Sequence, residues 1–229
     1  MFKKFFTEIE VTNYNKNFPY IVVDNFYDNN QLDLIWKELD FFLDFDGDKL
    51  QDPKDTGSAR EEGEVIKKNK GFFLDEFYGP RAYHVSNILR CSRKLYNNWE
   101  KIIGKNPNWY FKMLNGNKDY LNRDTTLVSY YEDSDYYASH TDTSVLTIVT
   151  WLYKEPKGFV GGDFILNAKK DKHPLNEYEP QTIEIKNNRM VIFPSLIPHQ
   201  VIPIQMKDKN KKGMGRYCLT NFLSNADPK

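Results

Sequence analysis

The feature that most constrains the fold of this chain is a change of hydrophobic period near residue 124. After that point the sequence breaks into short apolar segments whose side chains alternate with period two, separated by turn-forming residues. Eight such strands are typical of a double-stranded β-helix, or jelly roll, in which two sheets enclose one core. The predicted strands are residues 125–131, 136–141, 145–153, 162–167, 181–186, 189–193, 199–204 and 216–223.

The residues before this point have a different pattern and predict elements that buttress the core. Residues 18–26 form a β-rich run, and residues 29–43 carry apolar side chains at three- and four-residue spacing, which predicts an amphipathic helix. A second helical stripe runs from Val85 to Ile103. The segment 44–80 between the two helices is long, and its residues 44–70 have no sustained period, so we expect either a mobile flap or disorder there. The aromatic run 71–78 at its end predicts a short strand or the edge of the flap.

These patterns together predict one α+β, mainly β domain over residues 1–229. Its jelly-roll core spans residues 125–224, and residues 1–124 supply a strand, helices and the flap. With 32 basic and 32 acidic residues, the chain has no excess charge for binding nucleic acid or an anionic membrane.

The remaining composition bears on the compartment. Two cysteines in 229 residues do not make a disulfide framework, which fits a reducing environment. The N-terminus does not read as a signal peptide, and no apolar run approaches the length of a membrane span. We therefore expect a cytoplasmic monomer or homodimer without a nucleic-acid or membrane partner.

One short motif offers metal ligands. His140 and Asp142 lie two residues apart at the end of a predicted strand, and side chains at that spacing point to the same side. Taken alone, a His-X-Asp sequence can also be an accident of the surface. A third ligand would have to come from elsewhere in the chain.

The histidines limit the choice of that third ligand. The chain has only four, and His199 lies at the mouth of an apolar strand. Two imidazoles and one carboxylate that leave open positions make the facial triad of non-haem Fe(II) oxygenases. His84, at the start of the second helical stripe, is more simply explained as an exposed or capping histidine.

An arginine on the last predicted strand is the other unusual residue. The two faces of this strand are similarly hydrophobic, so the sequence leaves open whether Arg216 points to the barrel interior or to water. If it faces inward, it needs an anion to offset its desolvation, and its fork matches a carboxylate. Arg189 is a possible competitor for this role, although its position before a strand is also that of a turn residue.

The ordered set of motifs resembles the Fe(II)/2-oxoglutarate dioxygenases of the prolyl 4-hydroxylase type. The resemblance covers about residues 125–224, and residues 19–26 look like the strand that opens many members. The matching motifs are His140-Thr141-Asp142, Gly161-Gly162-Asp163, Met190-Val191-Ile192-Phe193-Pro194 leading to His199, and Arg216-Tyr217-Cys218.

The resemblance implies a role for each matching residue. His140, Asp142 and His199 would ligate Fe(II), while Arg216 and Tyr131 would bind the distal carboxylate of 2-oxoglutarate. Thr147 and Trp151 would line the cosubstrate pocket. Trp151, Tyr137 and Phe222 would lie near the substrate.

The resemblance also implies the chemistry. Fe(II), 2-oxoglutarate and dioxygen, with ascorbate as a further cofactor, would hydroxylate an unactivated C–H bond and release succinate and carbon dioxide. The substrate would be a prolyl residue of a peptide or protein. Two alternatives stay open from the sequence: a hydroxylase of a free amino acid or other small molecule, and a non-catalytic cupin- or lectin-like jelly roll that binds a metal or a sugar.

Overall fold

The computed structural model describes residues 8–44, 50–169 and 173–225. In chain order the strands are β1 Glu10–Tyr14, β2 Tyr20–Asp24, β3 Arg60–Glu61, β4 Glu64–Val65, β5 Lys70–Phe73, β6 Arg123–Tyr131, β7 Tyr137–His140, β8 Leu146–Leu152, β9 Phe159–Gly161, β10 Phe164–Leu166, β11 Gln181–Ile183, β12 Arg189–Pro194, β13 His199–Val201, β14 Ile204–Met206 and β15 Arg216–Ser224.

Within the described part of the chain, six α-helices precede the β-rich half. They are α1 Asn29–Asp44, α2 Leu74–Tyr78, α3 Ala82–Val85, α4 Asn87–Ser92, α5 Lys94–Asn97 and α6 Trp109–Gly116. A π-helical turn spans Glu100–Gly104, and 3₁₀ turns span Pro53–Asp55, Gly79–Arg81, Lys118–Tyr120 and Pro174–Glu177. Among the helices described, none is both long and apolar enough to cross a bilayer.

Two sheets face each other across the β-rich half. The large sheet has seven strands in the order β1-β2-β12-β8-β15-β6-β5, and the small sheet has four in the order β11-β10-β13-β7. The strand pairings among the described residues are antiparallel, as in a jelly roll. A two-stranded ribbon of β9 and β14 continues beyond the small sheet.

The large sheet has an apolar core on each of its faces. On one face, Ile148 and Leu219 pack in a cluster with Ile35 and Leu39 of α1. On the other face, Trp151 belongs to a second cluster that reaches residues of the small sheet. Side chains of a strand alternate between the faces, so the helices cover one face and the inside of the jelly roll lies on the other.

The predicted fold class is confirmed, and most predicted strands match observed ones. The helix predicted over residues 29–43 is also confirmed, as α1. Several short elements were not predicted, among them β1, β9, β14 and α6. His84 lies on α3 and is exposed, as expected.

The prediction of a single helix over the second helical stripe was wrong. The structure divides residues 82–104 into α3, α4, α5 and the π-helical turn. Ser86 is extended (φ −75°, ψ 124°) and its hydroxyl accepts a hydrogen bond from the Leu89 amide, so it ends one helix and caps the next. The apolar period continues across this break because Ile88 and Leu89 still pack into the core.

The flap prediction also needs a correction within residues 50–80. That part of the chain contains regular structure that was not predicted, the β3–β4 hairpin and α2. β5 lies where a short strand was one of the two expectations. Residues 66–68 run beside β7: the Lys68 amide donates to the Tyr136 carbonyl (3.0 Å) and the Ala138 amide to the Ile66 carbonyl (2.9 Å). The segment therefore extends the small sheet at its β7 edge. Residues 45–49 lie outside the described residues.

Candidate active site

The three predicted metal ligands converge at the edge of the small sheet. His140 ends β7 and His199 begins β13, and the two are direct partners in the antiparallel register. Asp142 follows in the next loop, where its amide donates to the Ser195 carbonyl (3.0 Å). Asp142 Oδ1 lies 3.8 Å from His140 Nε2, and Oδ2 lies 3.4 Å from His199 Nε2. The donor atoms of all three lie within 4.8 Å of one another.

Hydrogen bonds to the main chain fix which nitrogen of each imidazole faces this centre. His140 Nδ1 lies 2.8 Å from the Ala138 carbonyl, and His199 Nδ1 lies 3.0 Å from the Ile197 carbonyl. A carbonyl oxygen only accepts, so each Nδ1 carries the proton and donates. Each Nε2 is then left with its lone pair, which is the form that ligates a metal.

A hydroxyl orients the carboxylate of the set. Thr147 Oγ1 donates to Asp142 Oδ2 across 2.6 Å and also lies 2.8 Å from Ser195 Oγ. Thr147 is fully buried on β8. Sequence reasoning gave Thr147 a place in the cosubstrate pocket, which stays a prediction. Its contact with Asp142 was missed, because nothing in the sequence reveals where the loop carrying Asp142 turns.

The predicted anion-binding arginine lies inside the jelly roll. Arg216 has no solvent exposure, and its Nη1 donates to the Gly162 carbonyl (2.6 Å). Its Nε and Nη2 have no hydrogen-bond partner within the described part of the chain. A buried guanidinium with two unsatisfied donors is costly unless an anion binds there.

Two neighbours define the position of that guanidinium. Tyr131 is its partner across the β6–β15 pair, and the Arg216 Cζ lies 4.2 Å from the centre of the Tyr131 ring. Burial raises the pKa of Tyr131, and the positive charge of Arg216 opposes the shift. Gly162 has φ +72°, and a Cβ there would lie 2.5 Å from Ile204 Cγ1, so glycine is needed for this close approach.

The competing arginine has a different task. Arg189 Nε and Nη2 donate to Asp24 Oδ1 (2.6 Å) and Oδ2 (2.8 Å), and Nη1 donates to the Glu184 carbonyl (3.1 Å). These contacts join β12 to the end of β2 in the large sheet. Arg189 is therefore a structural residue with a satisfied fork, which leaves the anion site to Arg216.

A cavity opens beside the ligands, and most of the predicted site residues line it. Tyr137 stacks on the His140 ring, with centroids 3.6 Å apart and planes at 14°. Its hydroxyl accepts a hydrogen bond from the Ala59 amide (3.0 Å). Burial raises the pKa of Tyr137 to about 12, so the phenol stays protonated. The predicted residues that line the cavity are Tyr131, Tyr137, His140, Asp142, Trp151, His199 and Phe222.

Residues before the jelly roll cover the same cavity. Thr56, Gly57, Lys67 and Phe73 line it from the segment that was predicted as a flap. Lys67 was not singled out in the sequence, where it is one of many lysines. We call residues 56–68 the lid.

The family comparison agrees with this geometry. The model of the 2OG-Fe(II) oxygenase superfamily matches residues 126–224, which run from β6 to the end of β15. Residues 126–224 belong to the 2OG-Fe(II) oxygenase superfamily. The matched range contains all three ligands and Arg216. Among curated proteins, none matches the sequence.

Solved structures share the fold of this oxygenase domain and of the elements before it. A prolyl-4-hydroxylase from Pseudomonas putida has 16% identity and a TM-score of 0.52, with 90% of this chain and 92% of that chain covered. Prolyl 4-hydroxylase from Phytophthora capsici has 15% identity and a TM-score of 0.50, with 90% and 59% covered. At this identity the likeness speaks for the fold alone.

The site fits the cofactors that the superfamily implies. Two imidazole nitrogens and one carboxylate oxygen on one side of a centre are the donor set that non-haem Fe(II) takes, with further positions left open. The unsatisfied donors of Arg216 fit one carboxylate of 2-oxoglutarate. His140, Asp142 and His199 would hold the metal, and Arg216 the cosubstrate.

Proposed function

We propose that this oxygenase hydroxylates an unactivated C–H bond, using Fe(II), 2-oxoglutarate and dioxygen and releasing succinate and carbon dioxide. The observation that carries the proposal is the pairing of a His-Asp-His ligand set with a buried, unsatisfied arginine in one jelly roll. The bound iron would supply dioxygen activation coupled to oxidative decarboxylation of the cosubstrate.

The residues of this chain would bind, orient and shield. The main-chain acceptors of His140 and His199 hold both imidazoles in the ligating tautomer, and Thr147 orients Asp142. Arg216 and Tyr131 would seat the distal carboxylate of 2-oxoglutarate. The hydrogen bond from the Ala59 amide to the Tyr137 hydroxyl joins the lid to the wall of the cavity. In this position the lid would exclude water from the reaction.

For the substrate, we propose a prolyl residue of a peptide or protein. The support is the resemblance of the motifs to prolyl 4-hydroxylases, together with the fold shared with two proteins of that name. Tyr137, Trp151 and Phe222 would contact this substrate, since they line the cavity. A non-catalytic jelly roll is less consistent with the site, because it gives no reason to bury an arginine whose Nε and Nη2 have no hydrogen-bond partner among the described residues.

A succinate-release screen tests the proposal. The protein, Fe(II), 2-oxoglutarate and ascorbate are incubated with proline-containing peptides, with free amino acids and without substrate, and the products are analysed by mass spectrometry for one added oxygen atom. We expect a peptide or amino acid to raise succinate release above the rate without substrate.

Histidine variants supply the control. His140→Ala and His199→Ala should abolish succinate release while leaving a folded protein, whereas His84→Ala should not, because His84 is exposed on α3. Succinate release that survives both ligand substitutions would refute the proposed chemistry.

A further inference from the structure

A buried lysine on the lid faces the cavity of the proposed oxygenase. Lys67 is 5% exposed and lines the cavity together with the metal ligands. The main chain of Lys67 forms an isolated antiparallel β-bridge with Tyr137, so the small sheet holds the backbone of Lys67 in place. Its Nζ lies 5.4 Å from the centre of the Tyr137 ring, which stacks on His140.

This ammonium has no anionic partner among the residues that the structure describes. The next residue shows the contrast: Lys68 Nζ lies 3.8 Å from Asp135 Oδ1 and is half exposed. The only carboxylate among the described residues lining the cavity is Asp142. Asp142 faces the two histidines and accepts from Thr147, so it is committed to the metal centre.

Burying a charge without a partner is unfavourable, because the charged group loses its hydration. Burial lowers the pKa of Lys67 to about 8. The group is therefore still mainly charged at neutral pH, and the cation–π contact with Tyr137 offsets only part of its lost hydration. A methionine would fill the same space without this penalty.

The charges at the site indicate which cation lacks a counter-ion. Asp142 carries one negative charge, and Arg216 and Lys67 carry one positive charge each. The charges of Fe(II) and of the 2-oxoglutarate dianion cancel. With Asp142 assigned to the metal and Arg216 to the cosubstrate, the Lys67 ammonium is the cation of the site that lacks a counter-ion among the described residues. It lies near Tyr137, where we placed the substrate.

On the basis of the proposed function, we infer that Lys67 binds a carboxylate of the substrate, close to the carbon that is hydroxylated. A free amino acid and the C-terminal residue of a peptide both carry such a group. An internal prolyl residue has an amide in its place. Since the side chain of proline carries no carboxylate, the inference narrows a prolyl substrate to one with a free α-carboxylate.

Matched pairs of compounds test this directly. L-proline, N-acetyl-L-proline and N-acetyl-L-prolinamide stand for a free amino acid, a C-terminal residue and an internal residue, and other amino acids can be tested in the same three forms. Binding is measured by calorimetry with protein loaded with Mn(II) and 2-oxoglutarate, and turnover by succinate release.

We expect at least one acid to bind and to stimulate succinate release, and its amide to do neither. Lys67→Met should raise the Kd and KM of that acid about 10- to 100-fold, because a hydrogen bond to a charged group is lost. Lys67→Arg should recover part of the affinity. Lys68→Met, which removes an exposed lysine from the same segment, should change neither constant. The free and N-acetylated acids distinguish the two sources of the carboxylate.

Four results would overturn the inference. The first three are amides that act as well as acids, turnover that is stimulated by amides but by no acid, and an unchanged acid-to-amide ratio in Lys67→Met. A weaker affinity of Lys67→Met for 2-oxoglutarate, measured without substrate, would also overturn it, since Lys67 would then belong to the cosubstrate site. Failure of the proposed function looks different, because wild-type protein would then release no succinate under any condition.

Discussion

The hydroxyl of Thr147 offers a quantitative test of how the fold prepares the metal site. Thr147→Val keeps the shape of the side chain and removes the donor that lies 2.6 Å from Asp142 Oδ2. A hydrogen bond from a buried hydroxyl to a carboxylate contributes about 1.5–3 kcal/mol. Removing a group that orients a metal ligand commonly lowers metal affinity about 10- to 100-fold. We expect Mn(II) binding to weaken by a factor in this range, as measured by calorimetry under argon.

The same strand supplies a matched control. Thr150 is also fully buried on β8, but its hydroxyl has no hydrogen-bond partner within the described residues. Its neighbour Val149 belongs to the core inside the jelly roll, so Thr150 points to the opposite face. Thr150→Val should leave metal affinity unchanged and should not destabilise the fold. Equal metal affinity in wild type and Thr147→Val would refute the role of the hydroxyl.

Three further variants separate anchoring, structural and lid roles. Arg216→Met should raise the Kd for 2-oxoglutarate at least about tenfold and leave Mn(II) affinity unchanged; an unchanged Kd would mean that the anion binds elsewhere. Arg189→Met should lower the free energy of unfolding by about 2 kcal/mol, because it breaks the fork with Asp24. The hydrogen bond from Arg189 lowers the pKa of Asp24, so this stabilisation is present above the ordinary aspartate pKa and is lost as the pH falls through the lowered value. Urea titrations should therefore show a smaller difference between wild type and Arg189→Met at about pH 3 than at about pH 7, and a constant difference would contradict the pairing. Tyr137→Phe should speed protease cleavage within the lid, because the Ala59 amide loses its acceptor; equal cleavage rates would argue against this contact.

The sequence predicts the core of this protein well because the responsible signals are local. Alternation over short segments gave the strands, and the spacing of His140 and Asp142 placed two ligands on one side. The distant His199 could be chosen because the chain has only four histidines. Arg216 stood out because an arginine on a strand that can face a barrel interior requires an explanation.

The lid was not predictable in the same way. Its order depends on main-chain pairing with the edge of β7, and residues 66–68 have no periodic apolar pattern of their own. Backbone hydrogen bonds to a distant edge leave no trace in the composition of the segment. For the same reason the sequence could not distinguish buried Lys67 from exposed Lys68.

The prediction of one continuous second helix was wrong for another physical reason. Apolar residues at helical spacing show which side chains face the core, but not whether the backbone is continuous between them. Ser86 interrupts the helix, because its backbone is extended and its hydroxyl caps the next helix. The helices on either side still bury Ala82 and Ile88. A polar residue with capping ability inside an apolar stripe was the available signal.

An anaerobic optical titration tests the central claim most directly, since it reports metal and cosubstrate together without any substrate. On adding 2-oxoglutarate to protein loaded with Fe(II), we predict a visible charge-transfer band that saturates in wild type. The band should be absent in His199→Ala and should require more 2-oxoglutarate in Arg216→Met. A wild-type protein without the band, or a band of equal strength in His199→Ala, would contradict the account.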